Sequence, residues 1–429
     1  MSKPDIDLRG LIRIGIKSGA YFVTTFVNSA IPFLVLPILT RYMAPEQYAN
    51  VALFSFYLAL TNALAGFSIP NVISKHFYDS DKKQVAGLIG SSIYILAIFT
   101  FAAIFLIILA YPWLRKIVDL KLLWLVLVPV TSFAFVMFST GLTVMRNEKK
   151  RFLFGKHQIG NTVIDIAVSL LLVVVFMWNW QGRVGGIVFS YSISALLMAY
   201  YLKVNGYISL VISKKPIKSV LHTVVPLLPH SIQSVLIFQA GLLFIQFYFS
   251  KQLLGVYAVA LQVAFAVKLL NSALALSWSP YLYEQLAKKH DINRMYLARL
   301  LLALAAVMSL GVLFIVVFSG IILRVMTSRQ YWRAGEFIPW LAIGYFFQGL
   351  QVFLLPFLIK FEKQKYVSLI SFVNMLFMVA LNIWFVNAFG YMGIAYAFLI
   401  VYLSMFLAFA WKTQKVFPLP WLRAIKIWG

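Results

Sequence analysis

Residues 261 to 278 read LQVAFAVKLLNSALALSW, an apolar run long enough to cross a bilayer with one cation, Lys268, inside it. A lysine so placed has three possible roles: contacting an anionic ligand, pairing with a carboxylate, or snorkelling to the interface. The carboxylate available for pairing is Asp165, which stands in NTVIDIAVS among Asn161, Thr162 and Ser169 and could equally carry a coupling proton. Lys268 follows Lys251 by 17 residues, about 25 Å of helix, and Asp165 follows Lys156 by nine, about 13 Å. The two charges are therefore expected at similar depth. His230, in VVPLLPHSIQSVL, titrates near neutral pH and is a second coupling candidate, although a lone histidine is more often structural.

The elements that must position these groups follow from composition. Of 429 residues 62% are hydrophobic and only 11% are charged, with a mean hydropathy of +0.89. No soluble core could hide so many apolar side chains, and the chain reads as a polytopic membrane protein. A net charge of +25 could suggest nucleic acid, but the basic residues alternate with apolar spans instead of forming one stripe, so no nucleic-acid partner is expected. The absence of cysteine excludes disulfides, thiolate metal sites and cysteine nucleophiles. The start, MSKPDIDLRGLIRIGIKSGAY, carries acids and lacks a short apolar core before a small-residue cleavage site, so no removable signal is expected.

At about 20 apolar residues per span, helices are expected near 17–40, 47–70, 85–110, 120–143, 158–178, 184–204, 223–249, 253–278, 296–320, 335–358, 366–387 and 391–411. With alternate loops assigned outside, the outer side holds Arg41, Arg115, Lys116, Lys121, Arg183, Lys251, Arg324, Arg329 and Arg333 of the 37 Lys and Arg. Apart from Lys268, the others lie inside, which places both termini in the cytoplasm. Arg9, Arg13 and Lys17 recur at one helical face, and the tail KVFPLPWLRAIKIWG mixes Trp421 and Trp428 with Lys415, Arg423 and Lys426. Both ends read as interfacial anchors.

An internal repeat divides the chain. RNEK at 146–149 and KFEK at 360–363 both fit [RK]-x-E-K; Lys156 precedes Asp165 by nine residues as Lys365 precedes Asn374; and a G-x-x-G follows each, at Gly182/Gly185 and Gly390/Gly393. A repeated unit with an even number of crossings keeps its orientation, so the expected fold is all-α and integral to the membrane. It comprises about twelve transmembrane helices in two six-helix bundles related by a pseudo-two-fold axis along the membrane normal. The expected boundaries are 1–205 for the first bundle, 206–221 for a cytoplasmic linker, 222–412 for the second bundle and 413–429 for a cytoplasmic interfacial tail.

Four helices carry small-and-polar stripes: Tyr21, Thr24, Thr25, Asn28 and Pro32; Ser55, Ala59, Asn62 and Gly66; His230, Gln233, Ser234 and Gly241; and Ala264, Lys268, Asn271, Ser272 and Ala275. Taken singly, each suits helix packing. Together, on the first two helices of each half, they suit a hydrated cavity lined by Lys268, Asn28, Thr24, Asn62, Gln233 and Asn271. Pro32, Pro37, Pro226 and Pro229 permit bending in equivalent elements. No HExxH, GxSxG or phosphate-binding glycine loop is present, and the loops are too short for a soluble catalytic domain, so no enzyme is expected.

FLVLPILTRYMAPEQYANVALFSFYLALTNALAGF, residues 33 to 67, resembles the start of the Wzx-type polysaccharide repeat-unit flippases of the multidrug/oligosaccharidyl-lipid/polysaccharide superfamily. The likeness rests on an apolar helix ending in [LI]-x-R-Y, then APEQY, then a second apolar helix; Ala49 stands where glycine is common. The resemblance implies translocation of an undecaprenyl-diphosphate-linked oligosaccharide to the outer leaflet of a bacterial inner membrane, through a cationic cavity lined by the helices that carry the four stripes. It implies membrane lipids, a polysaccharide polymerase and a chain-length regulator as partners, and no cofactor beyond a coupling proton or sodium ion. Lys268 then meets the diphosphate and the amides meet sugar. Lys75, Arg146 and Arg299 assist capture, although snorkelling explains each as well. The competing classes are an ion-coupled exporter of small amphiphiles, a membrane-integral polymerase and a non-transporting assembly scaffold.

Overall fold

The computed structural model describes residue 33 and residues 35–425 apart from 66–68, 79, 117, 210–213 and 288–292, with backbone alone for Asn71, Lys75, much of 214–230, Ala287, Leu422 and Ile425. Residues 35–42 are helical, followed by α1 (Pro45–Ala65), α2 (Ile69–His76), α3 (Lys82–Leu114), α4 (Leu122–Asn147), α5 (Arg151–Leu170), α6 (Asn179–Val204), α7 (Lys214–Tyr248), α8 (Lys251–Ala287), α9 (Arg294–Met326), α10 (Ile338–Lys360), α11 (Gln364–Phe389), α12 (Met392–Val416) and α13 (Trp421–Ile425). A π-helical turn, Leu171–Val175, extends α5, and a 3-10 turn, Arg329–Glu336, joins α9 to α10.

Eleven of these helices are long and apolar enough to cross a membrane. They coincide with eleven of the twelve expected spans. Most of the remaining one, at 17–40, lies outside the described residues. Helices are the only open solution for such segments, because lipid offers no partner to backbone N–H and C=O groups. Hydroxyls within the spans follow the same logic: Ser55, Ser92, Thr100 and Thr131 each donate to the carbonyl four residues back, at 2.7–2.8 Å. The helical path runs uninterrupted through Pro37, Pro226 and Pro229.

The described residues form two compact units divided between Ala258 and Val259, within α8. In the first, α4 packs on α1, α3 and α6, α5 packs on α6, and α7 packs on α1 and α3. In the second, α10 and α11 both pack on α12, and α9 packs on α10. The pattern of fourth and fifth spans lying on the sixth thus recurs. A core around Ile73, Ile89, Val144 and Leu202 holds one end of the first unit, and Trp278, Leu282, Ala298 and Phe357 hold the second. Phe417, Leu419 and Ala424, from the described part of the expected tail, join the latter core.

The repeat is real but differs in register from the sequence match. Both α4 and α10 close with a residue in the left-handed region, Lys149 at φ 61° and Glu362 at φ 57°. Each is followed by the same bond pair: Lys149 N to Arg146 O and Lys150 N to Met145 O, against Glu362 N to Ile359 O and Lys363 N to Leu358 O. Glu148 and Glu362, aligned by [RK]-x-E-K, are therefore one residue out of step. The structural counterpart of Asn374 is Asn161, each twelve residues beyond its left-handed turn residue, and not Asp165. Ser194 donates to Asn161 Oδ1 at 2.9 Å and Ser404 to Asn374 Oδ1 at 2.5 Å, the same fifth-to-sixth-helix clasp in both units.

Candidate functional site

Asp165 lies 14 residues into a helix that starts at Arg151 and runs through the π turn to Val175, past its midpoint. Lys156, from which its depth is counted, stands inside this helix, five residues after its start. The partner of Asp165 is Arg183, expected in an outer loop but found on the second turn of α6. Nη1 donates to Asp165 Oδ1 at 2.5 Å and to Ser169 Oγ at 2.8 Å. Both side chains are mostly buried, at 16% and 19% exposure. Gly186, one turn beyond Arg183, is what lets α6 approach: a Cβ there would run into Ser169. The polar letters NWQGR read as loop. The signal that α6 starts there is the i, i+4 pair Gly182/Gly186, which lies against Leu172 and Ser169 of the preceding helix and its π turn.

In the first unit Asn62 on α1 and Gln233 on α7 are both buried, and these two helices pack together. Asn62 Oδ1 has no hydrogen-bond partner among the described residues. Tyr57, on the same helix, donates to Gln246 Oε1 of α7 at 3.4 Å.

In the second unit Lys268 stands midway along α8, 17 residues after Lys251 and 19 before Ala287. Its ammonium lies 5.2 Å from the centre of the Phe265 ring, and Ser272 Oγ donates to its carbonyl at 2.9 Å. Asn271 is 2% exposed and donates from Nδ2 to Tyr345 O at 2.7 Å, pinning α8 to α10. Gly349 makes the close approach possible, since a Cβ there would meet the Asn271 amide and Met308. In this structure Asn271 is an interhelical pin, whereas Lys268 is half-buried. Arg299 has a buried Nε with no partner among the described residues, and Arg146 is exposed in the last turn of α4. Thr24 and Asn28 lie outside the described residues, as do the side chains of Lys75 and His230.

One cluster escaped the sequence reading. Glu148, beyond the end of α4, accepts from Tyr201 at 2.5 Å and from Lys150 at 3.0 Å on one oxygen, and from Tyr207 at 3.0 Å on the other. Burial works to raise this carboxyl, but the three donors outweigh it and hold it below the usual carboxylate range. Beside it Tyr78 donates to Asn147 O at 3.0 Å, and Lys82 lies 4.9 Å over the Tyr207 ring. The loops after α2, α4 and α6 are thereby tied at one end of the unit.

The fold, with eleven helices long and apolar enough to cross a bilayer, defines a polytopic α-helical membrane protein. The chain belongs to the polysaccharide biosynthesis protein family, whose model matches residues 15–286. It is 24% identical over 293 residues, 66% of this chain and 70% of the relative, to an uncharacterized membrane protein of Haemophilus influenzae. Among solved structures it is similar to the lipid II flippase MurJ in an inward closed conformation, with a TM-score of 0.74 at 14% identity, covering 94% of this chain and 89% of the other. It is similar too to an inward-facing multidrug-resistance MATE transporter of the MOP superfamily, with a TM-score of 0.72 at 13% identity over 92% and 94% of the two chains. At such identities the likeness is one of fold.

Proposed function

We propose that the protein is a flippase, not an enzyme, which carries an undecaprenyl-diphosphate-linked oligosaccharide from the cytoplasmic to the periplasmic leaflet by alternating access. The substrate is an O-antigen or other surface-polysaccharide repeat unit. The observation that carries this reading is the match to a polysaccharide biosynthesis family in a chain whose fold is also that of a lipid II flippase. Lys268 supports it: a cation at mid-helix is costly unless it meets water or an anion, and the diphosphate is such an anion. Asn28, Thr24, Asn62 and Gln233 are assigned to sugar, and Lys75, Arg146 and Arg299 to capture at the cytoplasmic side. The basic asymmetry of the loops supports cytoplasmic termini in a bacterial inner membrane, with bundles 1–205 and 222–412 moving about the substrate.

Coupling to a proton or sodium ion gives direction, since one charge moved through 100 mV is worth about 2.3 kcal/mol. Asp165 is held by Arg183, and His230 is the carrier we favour. A polymerase and a chain-length regulator act on the product after release. The likeness to a multidrug-resistance transporter keeps an exporter of small amphiphiles as the second reading.

The test is a deletion strain in which the lipid-linked repeat unit is located by a probe confined to the periplasm. Accumulation on the inner face only, not relieved by K268A, supports both the flippase and its site. Accumulation on the outer face overturns the flippase reading. Restored resistance to a cationic dye, without any effect on the repeat unit, selects the exporter.

A further inference from the structure

At the end of the second unit that carries the 3-10 turn, three exposed arginines fall within ten residues: Arg324, Arg329 and Arg333. Arg333 is engaged, its Nε donating to Glu336 at 3.3 Å with the guanidinium 4.7 Å over the Tyr391 ring. Arg324 and Arg329 pair with no carboxylate among the described residues. They flank instead the exposed indole of Trp332, with guanidinium carbons 5.7 Å and 6.0 Å from its ring. Arg324 is in the last turn of α9, where the helix dipole favours a cation. Below it Leu310, Leu313, Phe314, Val317, Ile321 and Val325 are all exposed at spacings of three and four, an apolar track on one face of α9. From Leu310 to Val325 it runs about 22 Å, more than the roughly 15 Å of hydrocarbon in one leaflet.

We infer that Arg324, Arg329 and Trp332 hold the phosphate headgroup of an anionic glycerophospholipid whose acyl chain lies along this track. Guanidinium matches phosphate as a bidentate fork, and tryptophan, apolar with one N–H donor, settles at headgroup depth. Two neighbouring guanidiniums repel the cationic end of a zwitterionic headgroup and accept an anionic one. In the orientation proposed above, with both termini cytoplasmic, these arginines also run against the usual charge bias of membrane loops, and a bound anion removes that cost. The site is separate from the transported substrate and stands or falls independently of the flippase reading.

The test uses the full chain in nanodiscs of phosphatidylcholine with equal phosphatidylglycerol, and native mass spectrometry counts the phosphatidylglycerol retained on release. R324Q/R329Q is expected to lose one tightly held phosphatidylglycerol, and R333Q none. Each substitution is on an exposed side chain; R329Q alone serves if the pair does not insert, with the same loss expected. An unchanged count in the arginine variants, or equal loss in R333Q, overturns the inference. A third arm replaces phosphatidylglycerol with undecaprenyl diphosphate. Stronger arginine-dependent retention of that lipid overturns the assignment to a structural phospholipid in favour of a transported one.

Discussion

Arg183 and Asp165 form an ion pair across α5 and α6, 2.5 Å between Nη1 and Oδ1, with Ser169 as a third member. Removing one partner of such a pair strands a charge in a low-dielectric setting, at a cost of about 3–5 kcal/mol, whereas replacing both by apolar residues is close to neutral. D165N and R183Q are each expected to lower the thermal unfolding temperature of the detergent-solubilised protein markedly, and D165L/R183M to recover most of it. If D165N keeps wild-type stability yet abolishes the pH dependence of transport, Asp165 is a proton carrier after all.

The Asn161–Ser194 and Asn374–Ser404 clasps are repeat-related and are expected to be energetically alike. Interhelical hydrogen bonds in membranes average roughly 0.6 kcal/mol, so S194A and S404A should each cost about that much. A double-mutant cycle with N161A or N374A on unfolding free energy measures it. Coupling in one unit and none in the other would mean that the shared geometry has no shared role.

Gly349 sits where any side chain would strike Asn271. Overpacking of this kind costs about 1–3 kcal/mol, and G349V is expected to lower stability by that order, with N271A partly compensating. The comparison to make is transport per folded molecule: an interhelical pin predicts that N271A changes it little, while K268A abolishes it.

The Glu148 cluster makes a pH prediction with a definite sign. A carboxyl held below its unfolded value contributes stability above that value and loses it as pH falls through the lower folded one. Wild-type stability should therefore be flat above about pH 5 and decline below about pH 4, the ordinary glutamate range. E148Q should remove this part of the decline, as thermal melts across the acid range will show. Identical profiles for the two proteins would exclude the cluster as the cause.

Eleven spans were legible in the sequence, because a crossing helix must be continuously apolar over a fixed length and that pattern is local. The repeat was legible too, through RNEK and KFEK, but its register was not. The left-handed residue that closes each helix is Lys149 in one unit and Glu362 in the other, set by backbone geometry and not by residue identity. Asn374 was matched to Asp165 by spacing, while its shared bond to a serine on the next helix identifies Asn161 as the counterpart.

The chain by itself thus determined that this is an all-helical membrane protein with charges at Lys268 and Asp165, since the cost of exposing apolar surface or burying charge depends only on composition along the chain. Which charge meets which was decided by tertiary structure alone. Arg183 and Asp165 are 18 residues apart with a π turn between them, and Glu148 gathers donors from 53 and 59 residues downstream. Those meetings depend on how closely two helices approach and at what rotation, which small residues such as Gly186 and Gly349 permit but do not spell out.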